Sequence, residues 1–244
     1  MKKIFAKIDE HGLFGLPLHI VKTRIQLFKR YLEGIFRERL LDSYSQYAED
    51  LIIDHLLAHQ SSGSYIDIGA NDPDHFNNTK RFYRRGWRGV NVEPNPILFQ
   101  KLVQVRGKGG DINLNIGIGR QKGTMDFHVV RPHVLSTFSS AQAEALKGQG
   151  YRVEKTIPVE VWPLSDVLQQ HQHHFGRQID LLSIDVEGLE LEVLDSHDWT
   201  TIRPQLVLIE MNRNPQMIHD RMVAFGYRLL FENGTNGLYV PNGA

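Results

Sequence analysis

Short apolar segments that alternate with helix-like segments are the feature that most limits the folds open to this 244-residue chain. The apolar segments are brief and end in polar turns, which is typical of buried strands, at residues 65–68, 89–92, 112–116, 179–184 and 205–209. Between them lie segments with helical spacing of apolar residues, at 79–85, 97–105, 164–170, 189–194 and 217–225. Because strand–helix repeats need crossover connections, we predict an α/β fold with a mostly parallel sheet.

Two parts of the chain depart from this alternation. Residues 124–130 and 153–161 alternate between polar and apolar side chains like half-exposed strands, and the loop-like stretch 131–140 lies between them. We interpret this part as an insertion into the strand–helix pattern. Residues 227–231 and 237–240 are separated by a polar turn, which predicts an antiparallel hairpin at the end of the sheet.

The first 40 residues differ in charge from the rest of the chain. They carry nine Lys and Arg against four Asp and Glu, a net charge of +5, so the remainder of this neutral chain carries −5. Apolar residues at near-helical spacing over 17–41 predict a basic helical extension, residues 1–42, in front of a domain at 43–244. We favour packing of this helix on the domain or on a second subunit of a homo-oligomer. Binding to an anionic membrane surface is the alternative.

Composition excludes several classes of function. The chain has no cysteine, which rules out disulfides, thiolate metal sites and cysteine nucleophiles. No segment approaches the roughly 18 uncharged apolar residues of a membrane span, and the N-terminus lacks a signal-peptide pattern, so we expect a cytoplasmic protein, peripheral to a membrane at most. A net charge of zero gives no reason to expect a nucleic-acid partner.

Acidic residues stand where four of the predicted strands end. In open α/β sheets, ligands bind beyond the carboxyl ends of the strands, near the point where the strand order reverses. A single acid at an exposed strand end needs no functional explanation. Acids at four such ends are hard to explain by folding alone, and they are Asp67, Glu93, Asp185 and Glu210.

The turn after the first strand indicates the kind of ligand. Asp67 to Asn71 is a strand-to-turn sequence in which Gly69 lets the backbone approach a ligand closely. The turn lacks the G-x-G-x-x-G fingerprint of pyrophosphate binding, which favours a ligand without phosphates such as S-adenosylmethionine. Glu93, 26 residues after Asp67, is placed to accept hydrogen bonds from ribose hydroxyls, an arrangement that serves NAD as well.

The chain resembles the FkbM-type methyltransferases. The segments that carry the resemblance follow one another in order over residues 43–240: Ser45–Asp50, Tyr65–Pro73, Asn78–Thr79, Gly86–Gly89, Val92–Pro96, Ile179–Gly188 and Gly226–Tyr227. One difference is Ala48, which stands where that family usually has glycine. The resemblance implies a Rossmann-like class I methyltransferase fold with a seven-stranded sheet.

The resemblance also implies roles for individual residues in binding S-adenosylmethionine. Asp67, Gly69 and Asn71 would form the turn at the methionine side, and Glu93 would hold the ribose. The segment Ser45–Asp50 would close over the cofactor. Further contacts are implied for Gln46, to the cofactor carboxylate or amine, and for Asn115, near the adenine. The alternative for the closing segment is a plain helix start, capped by Ser45 and favoured by the acids that follow.

Asp185 and Glu187 are the predicted catalytic residues, since they follow the strand that borders the transferred methyl group. Methyl transfer to a hydroxyl is an in-line displacement that needs alignment and a group that accepts the proton. Asp185 could be that base or could bind the cofactor ammonium, and Glu187 could orient the acceptor. Together with Glu210 they are also hard oxygen ligands of the kind Mg²⁺ prefers, but bare carboxylates are favoured and no metal ligand is assigned.

Two histidine features carry less weight. His133, in the insertion, is a weak candidate base, and the run His171–His174 is interpreted as a solvated loop rather than a metal site. The function predicted from the whole sequence is S-adenosylmethionine-dependent methylation of a hydroxyl on a sugar, a glycan or a small secondary metabolite. The alternative is a Rossmann protein that binds a nucleoside cofactor for regulation or redox chemistry, although the missing G-x-G-x-x-G counts against redox.

Overall fold

The computed structural model describes residues 42–175 and 178–243, together with Lys29 and Glu33. Apart from those two residues, the helix predicted over 17–41 lies outside the described residues. Its packing, its membrane alternative and the boundary at residue 42 therefore stay predictions. Within the described residues, no helix combines the length and the apolar character that a membrane crossing requires.

Ten strands and seven α-helices make up the described part of the chain. The strands are β1 (Ser64–Ile68), β2 (Arg88–Val92), β3 (Ile112–Leu114), β4 (Gly117–Ile118), β5 (Gly123–Arg131), β6 (Arg152–Trp162), β7 (Leu181–Ile184), β8 (Leu206–Glu210), β9 (Tyr227–Glu232) and β10 (Asn236–Pro241). The α-helices are α1 (Glu49–Leu56), α2 (Lys80–Arg84), α3 (Pro96–Arg106), α4 (Ser140–Gly148), α5 (Leu164–Gln170), α6 (Glu190–Asp195) and α7 (Pro215–Ala224).

Seven of the strands form the central sheet, in the order β3-β2-β1-β7-β8-β10-β9. The chain runs outward from β1 through β2 to β3, and later returns to place β7 on the other side of β1, parallel to it. Strand order therefore reverses between β1 and β7, which is where open α/β sheets bind their ligands. The predicted α/β fold with a mostly parallel, seven-stranded sheet is confirmed.

The C-terminal hairpin is also confirmed. Its second strand, β10, lies between β8 and β9 and is antiparallel to both. Leu238 of β10 pairs with Leu208 of β8. The second strand of the hairpin is therefore the one that joins the sheet, and β9 is the edge strand.

The insertion forms a second sheet of three strands, in the order β4-β6-β5. β5 and β6 pair antiparallel along nearly their whole length, and β4 pairs parallel with β6. The strand predicted over 112–116 is thus shorter than expected. It ends at Leu114 because the Asn115 side chain turns back and donates to the carbonyl oxygens of Glu93, at 2.8 Å, and Pro94, at 3.1 Å.

Apolar side chains cover both faces of the central sheet. One face packs a large cluster that includes Ile66, Leu182 and Val207, with residues of α5, α6 and α7. The other face packs Tyr65 and Leu181 against residues of α1 and α2. Successive strand residues point to opposite faces, so these near-continuous apolar runs bury both sides of the sheet.

The histidine run agrees with the predicted solvated loop only in part. Gln172 and His173 are exposed, but residues 172–174 form a short 3₁₀ helix directly after α5 and His171 is buried. The reason lies in its position: its backbone N–H still bonds to the Val167 carbonyl at 3.2 Å, so it completes the last turn of α5, whose apolar face lies in the core.

Candidate active site

A cleft lies at the carboxyl ends of β1, β2, β7 and β8, and it has two adjoining chambers. The apolar chamber is lined by Gly69, Val92, Glu93, Pro94, Ile118, Phe127, His133, Phe138, Val186 and Leu189, among others. The polar chamber is lined by Gln46, Phe76, Asn78, Val134, Leu135, Glu210, Asn212 and Asn236. Both chambers share the side chains of Asn71, Asp185 and Glu187.

The turn after β1 forms part of the wall of the apolar chamber. Gly69 has φ +82°, and a Cβ built there would lie 1.8 Å from the Asp185 carbonyl oxygen. Only glycine fits where the loops after β1 and β7 approach so closely. Asn71 follows with φ +52°, a left-handed conformation that asparagine tolerates better than most residues.

Glu93 is held from two sides by backbone donors. One carboxylate oxygen accepts from the Asn71 N–H and the other from the Asn95 N–H, both at 2.7 Å. Burial raises the pKa of Glu93 to about 7, against the effect of these two hydrogen bonds. Each carboxylate oxygen has a further lone pair, so the side chain can still accept from a ligand in the apolar chamber.

Two predicted cofactor residues do not line either chamber. The Asp67 carboxylate is buried and accepts from the Thr79 hydroxyl at 2.7 Å, on the far side of the turn. The Asn115 side chain is engaged with the carbonyl oxygens of Glu93 and Pro94. The structure thus places both next to lining residues rather than among them.

Three acids meet where the chambers join. Asp185, Glu187 and Glu210 each place a carboxylate oxygen within 4.8 Å of the other two. Burial is the first cause that raises the pKa of all three carboxyls, and repulsion from neighbouring carboxylates is the second. The pKa of Asp185 rises to about 7, so this carboxyl is suited to accept a proton near neutral pH. Three oxygen donors this close also fit a hard cation such as Mg²⁺.

The segment before α1 is tied down through Asp50. This buried carboxylate accepts from the Ser43 hydroxyl at 2.6 Å, the Tyr44 N–H at 2.8 Å and the Ser45 hydroxyl at 2.8 Å. Ser45 also accepts the Asp50 N–H at 3.2 Å, so it satisfies a donor at the helix start without occupying the capping position. That position belongs to Ala48, whose φ of +68° is a conformation that glycine adopts with less strain.

Glu49 fastens the same segment to the C-terminal hairpin. Its carboxylate accepts from the Asn233 and Asn236 side-chain amides, at 2.9 Å and 2.6 Å, and from the Tyr47 N–H at 2.8 Å. Gln46 is thereby held at the polar chamber, which it lines. The segment predicted to close over a cofactor therefore does border the cleft.

The insertion covers the apolar chamber. Phe127 and Phe138, whose ring centroids are 4.8 Å apart, line it together with His133. Nδ1 of His133 lies 3.3 Å from the Asn95 side-chain amide, so this histidine sits on the Glu93 side of the cleft. The Thr137 hydroxyl donates to the Glu187 carbonyl oxygen at 3.0 Å. This bond links the insertion to the acidic cluster, which consists of Asp185, Glu187 and Glu210.

The raised pKa of Glu93 predicts how stability depends on pH. Because the pKa is about 7 in the folded state against an ordinary 4.5, the folded state binds the proton more tightly. The stabilisation is present in full below about pH 4.5 and is lost as pH rises through about 7. We expect the Tm of the ligand-free protein to fall by several degrees from about pH 5 to about pH 8, a loss of roughly 2 kcal/mol.

The pKa values of Asp185, Glu187 and Glu210 are also raised, so these carboxyls add to the fall of stability with rising pH. Glu93→Gln should reduce the slope, since glutamine does not titrate, while a variant of an exposed acid such as Glu144→Gln should leave it unchanged. A Tm that rises or stays constant over this range would contradict the prediction.

The seven-stranded sheet and the cleft at its carboxyl ends define a Rossmann-like methyltransferase fold. The family model described as Methyltransferase FkbM domain matches residues 67–231, and the chain belongs to this family. No curated protein matches the chain significantly.

Solved structures with a similar fold have low sequence identity. Methyltransferase FkbM from Methylobacillus flagellatus KT is 14% identical, with a TM-score of 0.47 over 74% of this chain and 44% of that chain. A methyltransferase from Geobacter sulfurreducens is 12% identical, with a TM-score of 0.41 over 99% and 97% of the two chains. The 1,6-didemethyltoxoflavin-N1-methyltransferase of Burkholderia thailandensis, solved with bound 1,6-didemethyltoxoflavin and S-adenosylhomocysteine, is also 12% identical, with a TM-score of 0.41 over 89% and 85%. This chain thus spans less than half the length of the Methylobacillus protein.

Proposed function

We propose that this chain transfers the methyl group of S-adenosylmethionine to a hydroxyl oxygen of a sugar, a glycan or a small secondary metabolite. The observation that carries the proposal is the arrangement of acids around the Gly69 turn. Glu93 stands in the apolar chamber, and the cluster of Asp185, Glu187 and Glu210 stands where the two chambers join. A nucleoside that also carries positive charge fits such a cleft.

The apolar chamber is the place for the adenosine part. Its lining of aliphatic and aromatic side chains suits a flat base, and Glu93 would accept from the ribose hydroxyls. Asn71 and Gln46 would contact the methionine part, and the Asp185 carboxylate would offset the positive charge of the cofactor. Asp67 would support this turn from behind, and Asn115 would shape the loop after β2 through the Glu93 and Pro94 carbonyls.

The polar chamber is the place for the acceptor. Among the described residues that line it are five side-chain amides and three carboxylates, and neither Lys nor Arg. Amides and carboxylates bind hydroxyl groups by donating and accepting hydrogen bonds, whereas an anionic acceptor would find no counter-charge there. These residues therefore support a neutral, hydroxyl-rich acceptor.

Catalysis would follow from the position of the acidic cluster between the chambers. Asp185 would accept the hydroxyl proton, and Glu187 would orient the acceptor, while the acceptor oxygen forms its bond to the methyl carbon and the sulfur–carbon bond breaks. The shared wall would hold the acceptor oxygen in line with that bond. If Mg²⁺ is bound, the same three carboxylates would hold it, and it would supply a positive charge beside the acceptor oxygen.

The test begins with ligand binding. Titration calorimetry should show binding of S-adenosylhomocysteine and no binding of NAD. A screen of sugar acceptors with methyl-labelled S-adenosylmethionine, run with added Mg²⁺ and with EDTA, then identifies the acceptor and the metal requirement. Tight NAD binding without any response to S-adenosylhomocysteine would refute the proposal in favour of a redox or regulatory nucleoside-binding protein.

A further inference from the structure

A buried arginine lies behind the turn that the proposed function assigns to the cofactor. Arg106, the last residue of α3, is fully buried. Its guanidinium donates to the Thr79 hydroxyl at 2.8 Å, to the Asn91 side-chain oxygen at 3.0 Å and to the Asn77 side-chain oxygen at 2.6 Å. Asp67 lies close enough for the arginine charge to lower its pKa, against the larger effect of burial. A cation held this firmly has partners in three separate segments of the chain.

Asn77 connects this cation to the cofactor turn. Its side-chain amide donates to the Ala70 carbonyl oxygen at 2.8 Å, while its side-chain oxygen accepts from Arg106 and from the Thr79 N–H. Its backbone N–H donates to the Tyr44 carbonyl oxygen at 2.9 Å. One asparagine therefore contacts the turn, the residue directly before the closing segment and the buried cation.

The turn is otherwise held from the opposite side. The N–H groups of Gly69 and Ala70 both donate to the Val92 carbonyl oxygen, at 2.9 Å and 3.0 Å, and the Asn71 N–H donates to Glu93. Those bonds fix the donors of the turn, but Asn77 supplies the bond that fixes the direction of the Ala70 carbonyl. Without it, the peptide between Ala70 and Asn71 is held on one side alone, by the bond from the Asn71 N–H to Glu93, so it can tilt more easily. Asn71 lines both chambers, so a tilt of this peptide reaches the ligand.

We propose that Asn77 is a positioning residue for cofactor binding, and that Arg106 holds its amide in the orientation that fixes the turn after β1. This inference rests on the proposed function, because it assigns the turn to S-adenosylmethionine. Neither residue lines a chamber, so both act through the turn and not by touching the ligand. The role explains why a charged side chain is buried behind the sheet edge, where an apolar residue would cost less to bury.

The test uses Asn77→Asp in the full chain. Aspartate keeps an oxygen for Arg106 and for the Thr79 N–H, but it replaces the amide donor with an oxygen that repels the Ala70 carbonyl. We expect S-adenosylhomocysteine to bind roughly tenfold more weakly by calorimetry, with little change in Tm. Hydrogen exchange at the amides of Gly69, Ala70 and Asn71 should become faster. If Asn77→Asp fails to fold, Asn77→Ser, which is uncharged and too short to reach Ala70, is measured instead. We expect the same loss of affinity, together with a lower Tm because Arg106 loses one acceptor.

Tyr65→Phe is the matched control. The Tyr65 hydroxyl belongs to the same buried network, through Asp111 and Arg106, but does not touch the turn. It should lower Tm while leaving the affinity and the exchange of the turn amides unchanged. Wild-type affinity in the Asn77 variant, or an equal loss in Tyr65→Phe, would overturn the inference. Failure of the wild-type protein to bind S-adenosylhomocysteine would instead overturn the proposed function.

Discussion

Replacing Glu93 with alanine is expected to weaken the binding of S-adenosylhomocysteine by roughly 100-fold, the equivalent of about 3 kcal/mol. Two losses contribute. The ribose hydroxyls lose their acceptor, and the N–H groups of Asn71 and Asn95, each now bonded to Glu93 at 2.7 Å, are left without a partner in a buried loop. Titration calorimetry on the purified variant measures the loss directly, and a thermal melt shows whether the fold is retained.

Glu93→Gln separates the two contributions. Glutamine keeps the size of the side chain and one acceptor oxygen, but it turns an amide toward one of the two backbone donors. We expect an intermediate loss of roughly tenfold. Glu144→Ala, at an exposed acid on α4, is the control and should bind like the wild type. Wild-type affinity in Glu93→Ala would mean that Glu93 only braces the loop and that the ribose lies elsewhere.

Glu187→Gln is expected to slow methyl transfer by roughly 100-fold or more, which is the usual contribution of a positioned acid or base. The change is nearly isosteric and removes one of three mutually repelling carboxyls, so the fold should remain and the affinity for S-adenosylhomocysteine should be nearly unchanged. Single-turnover rates with the acceptor identified in the screen measure the effect on the chemical step.

Glu190→Gln serves as the neighbouring control. Glu190 is buried close to the cluster, but its carboxylate accepts from the Gly188 N–H at 2.9 Å and does not line either chamber. Glutamine retains that acceptor and removes only a charge that raises the pKa of Asp185 from outside the chambers, so the rate should fall far less than in Glu187→Gln. A wild-type rate in Glu187→Gln would make Glu187 structural. Stimulation by Mg²⁺ that EDTA abolishes would favour a metal held by the cluster over bare carboxylates.

Most of the secondary structure could be predicted because its signal is local. The α5 helix begins at Leu164 and ends at Gln170, as the spacing of its apolar residues predicts. The hairpin of β9 and β10 likewise follows from two apolar runs around a polar turn. The separate sheet of β4, β5 and β6 could not be predicted in this way. It depends on pairing between β4, β5 and β6, which are distant in the sequence, and on a turn at Asn115 that no local pattern indicates.

The candidate site could likewise be predicted only in part. The expectation that acids at the strand ends would meet holds for Asp185 and Glu210, which lie within 4.8 Å of each other's oxygens. It does not place Asp67 in the cleft, because neighbouring residues of a strand point to opposite faces and the sequence does not say which face the ligand takes. The sequence gives no indication that Arg106 is buried, because an arginine at the C-terminal end of a helix is ordinarily solvated and is favourable there for the helix dipole.

The wall that the two chambers share has a consequence for redirecting the enzyme to new acceptors. Any library that varies Asn71 or Asp185 would alter cofactor recognition and acceptor choice at once, so gains in one would be masked by losses in the other. Phe76, Val134, Leu135 and Asn212 border the polar chamber alone. Laboratory evolution confined to these four positions should therefore change selectivity while the donor site stays intact.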